Sequence, residues 1–141
     1  MTFGPTKDKN FKRKINKKIK TKALFMLLSQ KLRDGELLFL DRIDVRGAKT
    51  KNAKEILQNI SKVSGFEALQ RKKQNAAYIY MPERNIQTER GFNNLGNVSV
   101  APVITMNSID LAMYKYVIIV DPVKSVAFLE GKIKHKIIPK T

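Results

Sequence analysis

Residues 116–120 have the sequence Tyr-Val-Ile-Ile-Val, and Asp121 and Pro122 follow directly. The short apolar run predicts a β-strand. An aspartate followed by a proline is typical of a helix that begins with a cap and has proline at its first position. Three other short runs are predicted as strands on the same grounds, and they cover residues 37–40, 76–81 and 98–101. We expect the first of them, Leu37–Leu40, to be buried on both faces.

Segments with a helical pattern alternate with these strands. One helix is predicted from about Lys12 to Asp34, with Gly35 as its C-terminal cap. A second runs from Thr50, which can cap it, to about Val63, and shorter helices cover about 87–94 and 108–113, where Ser108 can act as the cap. Alternating strands and helices predict a three-layer α/β domain with a parallel, four-stranded sheet and right-handed crossovers.

Composition limits the class of protein. The 141 residues are enough for one domain, and 28 Lys+Arg against 12 Asp+Glu give a net charge of +16. Without cysteine there is no disulfide framework and no thiolate nucleophile, and the single histidine, His135, has no second imidazole to form a metal site. Such an excess of positive charge favours a polyanionic partner.

Hydropathy argues against a membrane-spanning segment and against secretion. A membrane-surface partner is not expected either, because the apolar side of the basic N-terminal segment is short and contains no tryptophan. The longest apolar run, Ala23–Leu28, is far shorter than the ~20 residues that span a bilayer. The N-terminus has no apolar stretch of the kind found in signal peptides. We therefore expect an intracellular, cytoplasmic chain.

Positive charge is concentrated at the N-terminus, since residues 1–22 contain nine Lys+Arg and one acid, half of the net charge. At 100° per residue, the predicted first helix carries its cations opposite an apolar arc. We expect its second half to be buried nearly all round. The arc consists of Ile15, Ile19, Ala23, Met26 and Leu27.

Nothing in the sequence predicts a catalytic site. A dinucleotide site needs a Gly-rich turn after a strand, whereas the four predicted strands are followed by Asp41, Pro82, Pro102 and Asp121. Asp41 and Asp44 have arginine neighbours, which indicates strand-end caps and surface ion pairs. We expect no enzyme, cofactor, metal or small-molecule substrate. The methionines and tyrosines of the elements are predicted as core: Met26, Met81, Tyr78, Tyr80, Tyr114 and Tyr116.

The basic segment favours nucleic acid. If residues 12–22 are helical, seven cations lie along about 16 Å, whereas duplex nucleic acid carries one phosphate per ~1.7 Å. This density favours counterion release over simple solvation. Phe11, Asn16 and Thr21 among the cations favour RNA, because they offer stacking and hydrogen bonds.

A series of motifs points to a known family. They are Thr2-Phe-Gly-Pro5, Lys14-Ile-Asn-Lys-Lys18, Ala23-Leu24, Leu27-Leu-Ser29, Leu37-Leu-Phe-Leu-Asp41, Lys49-Thr-Lys51, Asn94-Leu95, Asn97-Val98 and Asn107-Ser-Ile-Asp-Leu111. In order and spacing, from Phe3 to Leu129, they resemble the C-terminal half of the bacterial-type L4 family of large-subunit ribosomal proteins.

The resemblance implies a Rossmann-like α/β domain without enzymatic activity that binds large-subunit ribosomal RNA and has neighbouring ribosomal proteins as partners. Together with the charge pattern, we expect a basic, extended, RNA-contacting segment over 1–11, a single α/β domain over 12–130 and a basic flexible tail over 131–141. The candidate RNA-binding residues are Lys7, Lys9, Lys12, Arg13, Lys14, Asn16, Lys17, Lys18, Lys20, Lys22, Lys49 and Lys51.

The resemblance has two gaps. In the family an N-terminal strand and a long basic loop precede the Phe-Gly-Pro motif, so we expect this chain to be a fragment, a split product or a reduced form. Gly91-Phe92-Asn93 stands where the family has Ala-Ala-Arg. Two other functions stay open: a free-standing regulator that binds messenger or small RNA, and an α/β enzyme with a pocket containing Asp41 or Asp110.

Overall fold

The computed structural model of the chain describes Gly4 and residues 12–134. These residues form four strands and six helices, joined in part by 3₁₀ turns at Arg46–Ala48 and Val103–Thr105. In chain order the elements are α1 (Lys17–Arg33), β1 (Leu37–Leu40), α2 (Thr50–Ile60), α3 (Ala68–Arg71), β2 (Ala77–Met81), α4 (Ile86–Phe92), β3 (Val98–Pro102), α5 (Ser108–Met113), β4 (Tyr116–Val120) and α6 (Pro122–Lys134).

The four strands form one sheet in the order β1-β4-β2-β3, and all of its pairs are parallel. Every residue of β4 is buried, since this strand lies between β1 and β2 and is covered on both faces. Ile118 and Ile79 pack towards α2, α3 and α4, whereas Val117 and Tyr80 pack towards α1, α5 and α6. The predicted three-layer α/β fold is confirmed, and the predicted strands agree with the structure to within one residue.

Strand β1 differs from its prediction. It has a single strand neighbour, β4, and therefore lies at an edge of the sheet. Its residue Phe39 is 44% exposed and none of its residues is fully buried. The expectation of burial on both faces was wrong because an apolar run does not reveal whether its strand is central or at an edge.

Helix α1 begins at Lys17 and not at Lys12. Asn16, at its N-cap, has an extended backbone and makes no capping hydrogen bond through its side chain. Successive cations without an acid in the first turn oppose the helix dipole and repel one another, which explains the later start. The predicted end is confirmed, because Asp34 is the C-cap and Gly35 follows with a φ of +67°.

The buried side of α1 also differs from its prediction. Leu24 and Leu28 are its buried residues, whereas Met26 is 63% exposed. Ile15 and Ile19 are exposed as well. The helix covers one face of the sheet with a narrow stripe, so its second half is not buried all round and Met26 is not a core residue.

Helix caps are supplied by other residues than the predicted ones. Thr50 is the first residue of α2, which ends at Ile60, and the cap position is held by Lys49 without a capping side chain. In α5 the Asn107 side chain, and not Ser108, accepts a hydrogen bond from the Asp110 backbone N–H at 2.8 Å. The predicted start of α6 is confirmed, because Asp121 accepts from the Lys124 N–H at 3.4 Å.

Helix α6 continues to Lys134, so residues 131–134 of the predicted flexible tail are helical. His135 and the residues after it lie outside the described part of the chain, as do residues 1–3 and 5–11 of the predicted N-terminal segment. Among the described residues, none of the helices has the length and apolar character needed to cross a membrane.

Candidate nucleic-acid interface

The candidate residues of the N-terminal segment that the structure describes are all exposed. Residues 12–16 precede α1 without regular secondary structure, and residues 17–22 form its first turns. No acidic side chain lies among them. The exposed candidates are Lys12, Arg13, Lys14, Asn16, Lys17, Lys18, Lys20 and Lys22, whereas Lys7 and Lys9 lie outside the described residues.

Because the helix starts at Lys17, the cations do not lie on one continuous helix. They divide between two sides of α1. Lys17 and Lys20 lie on the side of the buried Leu24 and line a groove against other elements. Lys22 lies beside Met26 on the opposite side, which we call the outer surface of α1, and Lys18 shares that side by its helical spacing of four from Lys22.

A further lysine of α1 has a structural task. The ammonium group of Lys31 donates to Glu36 Oε2 at 2.6 Å and to the carbonyl oxygens of Tyr114 and Lys115 at 2.9 and 2.8 Å. Its side chain is only 13% exposed. These contacts, with the packing of Leu24 and Leu28, hold α1 against the sheet and so fix the position of its basic first turns.

The groove beside α1 contains a cation that the sequence pattern did not indicate. It has a volume of about 320 Å³ and lies between α1, the turn at Val103–Thr105, the start of α5 and the end of α6. Lys132 of α6 lines it together with Lys17 and Lys20. No local signal could have placed Lys132 there, since only the fold brings α6 beside α1.

Lys49 and Lys51 belong to a different surface. They lie at the start of α2, which packs against the opposite face of the sheet from α1. Both side chains are exposed, and the exposed Arg46 precedes them in a turn where its carbonyl accepts from Asn52 Nδ2 at 2.7 Å. The structure therefore does not bring this pair together with the cations of α1.

Three tyrosines form a cluster on the sheet and do not make a surface for base stacking. Tyr78 and Tyr80 stack with ring centroids 4.5 Å apart, and Tyr114 meets Tyr78 edge-on at 4.9 Å. Tyr80 is fully buried. Burial, aided by the charge of Asp110, raises the pKa of Tyr78 to about 12. The predicted core position is confirmed for Tyr80, Tyr116 and Met81, which are buried, whereas Tyr78 and Tyr114 are partly buried.

A wide crevice lies at the carboxyl ends of the strands, where α/β proteins commonly hold ligands. Its volume is about 700 Å³, and Asp41, Arg84 and Asp121 are among its lining residues. Asp121 pairs with Lys124 at 3.3 Å. The nearby Asp44 pairs with Arg42 at 3.6 Å, as the expected surface ion pair. Within the described residues, no cluster of three metal-ligating side chains was found.

The structure thus defines a three-layer α/β domain with exposed cations before its first helix and on two sides of it. Comparison with known proteins gives the family. Residues 1–130 match the Ribosomal protein L4/L1 family, and the chain belongs to that family.

Similarity to individual proteins supports the same family. The chain is similar to the large ribosomal subunit protein uL4 of Campylobacter concisus (32% identity over 84% of this chain and 52% of the relative) and to that of Caldicellulosiruptor bescii (33% over 85% and 53%). The uL4 protein of Campylobacter curvus matches at 31% identity over 93% of this chain and 58% of the relative. The chain thus spans about half the length of the curated relatives it matches. The family predicted from the motifs is confirmed, and its members are structural proteins, in line with the expectation that the chain is not an enzyme.

Proposed function

We propose that this chain is a structural constituent of the large ribosomal subunit, in the cytoplasm, that binds large-subunit ribosomal RNA and supports subunit assembly and translation. Neighbouring large-subunit proteins are its other partners. The observation that carries the proposal is the run of exposed cations over residues 12–22, without an acid among them, in a member of the ribosomal protein L4/L1 family.

The geometry of α1 suits this role. Lys31 and the buried stripe of Leu24 and Leu28 fix the helix on the domain, so its first turns present Lys18 and Lys22 at defined positions. Arg13 and Lys14, in the exposed residues before the helix, add cations that can contact further phosphates. Each phosphate neutralised by a lysine or arginine releases condensed counterions, and this release drives association.

The test is the salt dependence of binding to a transcript of large-subunit ribosomal RNA. Replacing Lys14, Lys18 and Lys22 by glutamine removes three cations, none of which lines the groove. The slope of log affinity against log salt should fall by about 2 to 3 units, since each phosphate contact contributes about 0.7 to 0.9. A control variant with the same change of charge replaces the exposed Lys54, Lys62 and Lys73 by glutamine.

The control should keep most of the wild-type slope, because its lysines lie on α2 and on the chain between α2 and β2. Equal slopes for both triple variants would mean that binding follows net charge alone and would count against an interface on α1. A wild-type chain that does not bind the transcript at low salt would contradict the proposed function itself.

A further inference from the structure

The groove beside α1 holds three lysines for which no ion pair is found within Gly4 and residues 12–134. Its lining residues are Lys17, Lys20, Thr21, Leu24, Ile104, Thr105, Met106, Asn107, Ser108 and Lys132, which include three lysines and no carboxylate. The ion pairs found among the described residues do not involve these lysines. Positive charge is thus gathered here by tertiary structure and is not neutralised by the described part of the protein.

Lys132 is held in the groove and does not extend freely into solvent. Its ammonium group lies 5.2 Å from the centre of the Phe128 ring and donates to the carbonyl oxygen of Ile104 at 3.5 Å. The side chain is partly buried. Burial, together with the nearby charge of Lys20, lowers the pKa of Lys132. Two like charges that face each other in a partly desolvated groove are a surface to which an anion would bind favourably.

We propose that this groove, through Lys17, Lys20 and Lys132, binds a phosphate of the RNA backbone. This inference rests on the proposed function, because it supplies a second contact for the same RNA, on the opposite side of α1 from Lys18 and Lys22. The oxygens of a phosphate can accept hydrogen bonds from several ammonium groups at once. A single carboxylate on a neighbouring protein has fewer oxygens and serves three lysines less well.

The remaining lining residues suit this ligand. Leu24 and Met106 form a buried apolar floor that keeps water from the phosphate and strengthens its attraction to the lysines. Ser108 also lines the groove, and a serine side chain offers a further hydroxyl donor. The carboxylate of Asp110 is engaged elsewhere, since it accepts from Asn107 Nδ2 at 2.7 Å and faces Tyr78.

The experiment compares Lys132→Gln with Lys124→Gln, which removes a lysine from the first turns of the same helix. Lys124 lines the crevice at the carboxyl ends of the strands and pairs with Asp121, so it controls for the change of charge at a distant site. Binding to the ribosomal RNA transcript is measured between 50 and 200 mM salt. Over this range the affinity of Lys132→Gln should fall by a factor about threefold smaller than that of the wild type, because one phosphate contact is lost. Lys124→Gln should leave it unchanged.

Two additional variants test whether the effect comes from the charge of Lys132 and from its position beside Lys20. Lys132→Arg retains the charge and should restore the wild-type salt dependence. The double change Lys20→Gln with Lys132→Gln should cost less than the sum of the single changes, because both lysines contact one phosphate. Titration with inorganic phosphate alone tests whether the groove is instead a site for free phosphate. Saturable binding of inorganic phosphate in the absence of RNA would overturn the assignment to the RNA backbone.

Failure of this inference differs from failure of the proposed function. If Lys132→Gln behaves like Lys124→Gln while the outer-surface variant of Lys14, Lys18 and Lys22 still loses its salt slope, the groove is not a phosphate site and the RNA-binding function stands. If the wild-type chain does not bind the transcript, the proposed function fails. Thermal unfolding of every variant, monitored by circular dichroism, verifies that the fold is retained.

Discussion

The ammonium group of Lys31 lies 2.6 Å from the carboxylate of Glu36 and joins the end of α1 to the residue before β1. The same ammonium group donates to the carbonyl oxygens of Tyr114 and Lys115, before β4. The lysines of α1 are therefore of two kinds. Lys31 is paired and largely buried, whereas the lysines near the start of the helix are exposed. The first kind holds the helix in place, and the second kind is available to a polyanion.

Lys31→Met should lower the free energy of unfolding by about 2 to 3 kcal/mol. The change leaves the Glu36 carboxylate, only 22% exposed, and two carbonyl oxygens without their charged donor. Urea unfolding measures the effect. The matched change Lys18→Met, at an exposed position of the same helix, should shift stability by no more than about 0.5 kcal/mol. Equal losses for both variants would contradict the structural role of Lys31.

Gly91→Ala should destabilise the protein by about 1 to 3 kcal/mol, although alanine is the better helix former. A Cβ added at Gly91 would lie 2.6 Å from Cγ1 of Val45, in a packed part of the core. Gly131→Ala in α6 meets nothing within 4 Å and should stabilise by about 0.5 to 1 kcal/mol.

A double-mutant cycle tests the cause of the Gly91 effect. Val45→Ala alone should be destabilising, because Val45 is buried. Combined with Gly91→Ala, it should cost clearly less than the sum of the two single changes, since shortening Val45 removes the clash. Strictly additive losses would show that the close contact of Gly91 with Val45 is not the cause.

Stability should fall as the pH rises from 10 to about 12, and Tyr78 should contribute to that fall. Its pKa is raised from 10.0 to about 12 in the folded protein. Below 10 both states hold the phenol proton, but above it the unfolded chain ionises first, so the stability associated with this shift is lost through the window. The comparison of Tyr78→Phe with wild type by urea unfolding at several pH values isolates the effect. Parallel pH profiles for the two proteins would contradict it.

Tyr80→Phe should leave stability unchanged or raise it by about 1 kcal/mol. The Tyr80 hydroxyl is buried and has no hydrogen-bond partner among the described residues, so its removal relieves a desolvation cost without breaking a bond. The contrasting change Tyr116→Phe removes a hydroxyl that donates to the Gly65 carbonyl at 2.9 Å and should lower stability by about 1 kcal/mol. Thermal unfolding compares the two, and a larger loss at Tyr80 would refute this assignment.

Local patterns were sufficient for much of the fold. Strand β4 follows from a continuous apolar run, and the buried face of α2 follows from apolar residues with a period of 3.6. Gly35 ends α1 because a φ of +67° favours glycine. What the sequence did not reveal depends on neighbours. Leu37–Leu40 is apolar enough for a central strand, yet the strand order places it at an edge.

The candidate site, like the fold, was predictable in part from the sequence. The exposure of the cations near the start of α1 follows from their density in the sequence, whereas the side of the helix that each one occupies depends on which residues pack. Three apolar residues of the predicted arc, Ile15, Ile19 and Met26, are exposed, and Leu24 and Leu28 pack instead. Lys132 could not be predicted as part of the site, because only tertiary structure brings α6 beside α1.

The most direct measurement of the central claim is sedimentation of the chain with large ribosomal subunits through a sucrose gradient at low salt. The account predicts that the chain migrates with the large subunit and is released as salt increases. The Lys14, Lys18 and Lys22 triple variant should be released at lower salt than the Lys54, Lys62 and Lys73 control. A chain that stays at the top of the gradient, or that is recovered with RNA outside ribosomes, would contradict a structural role in the large subunit.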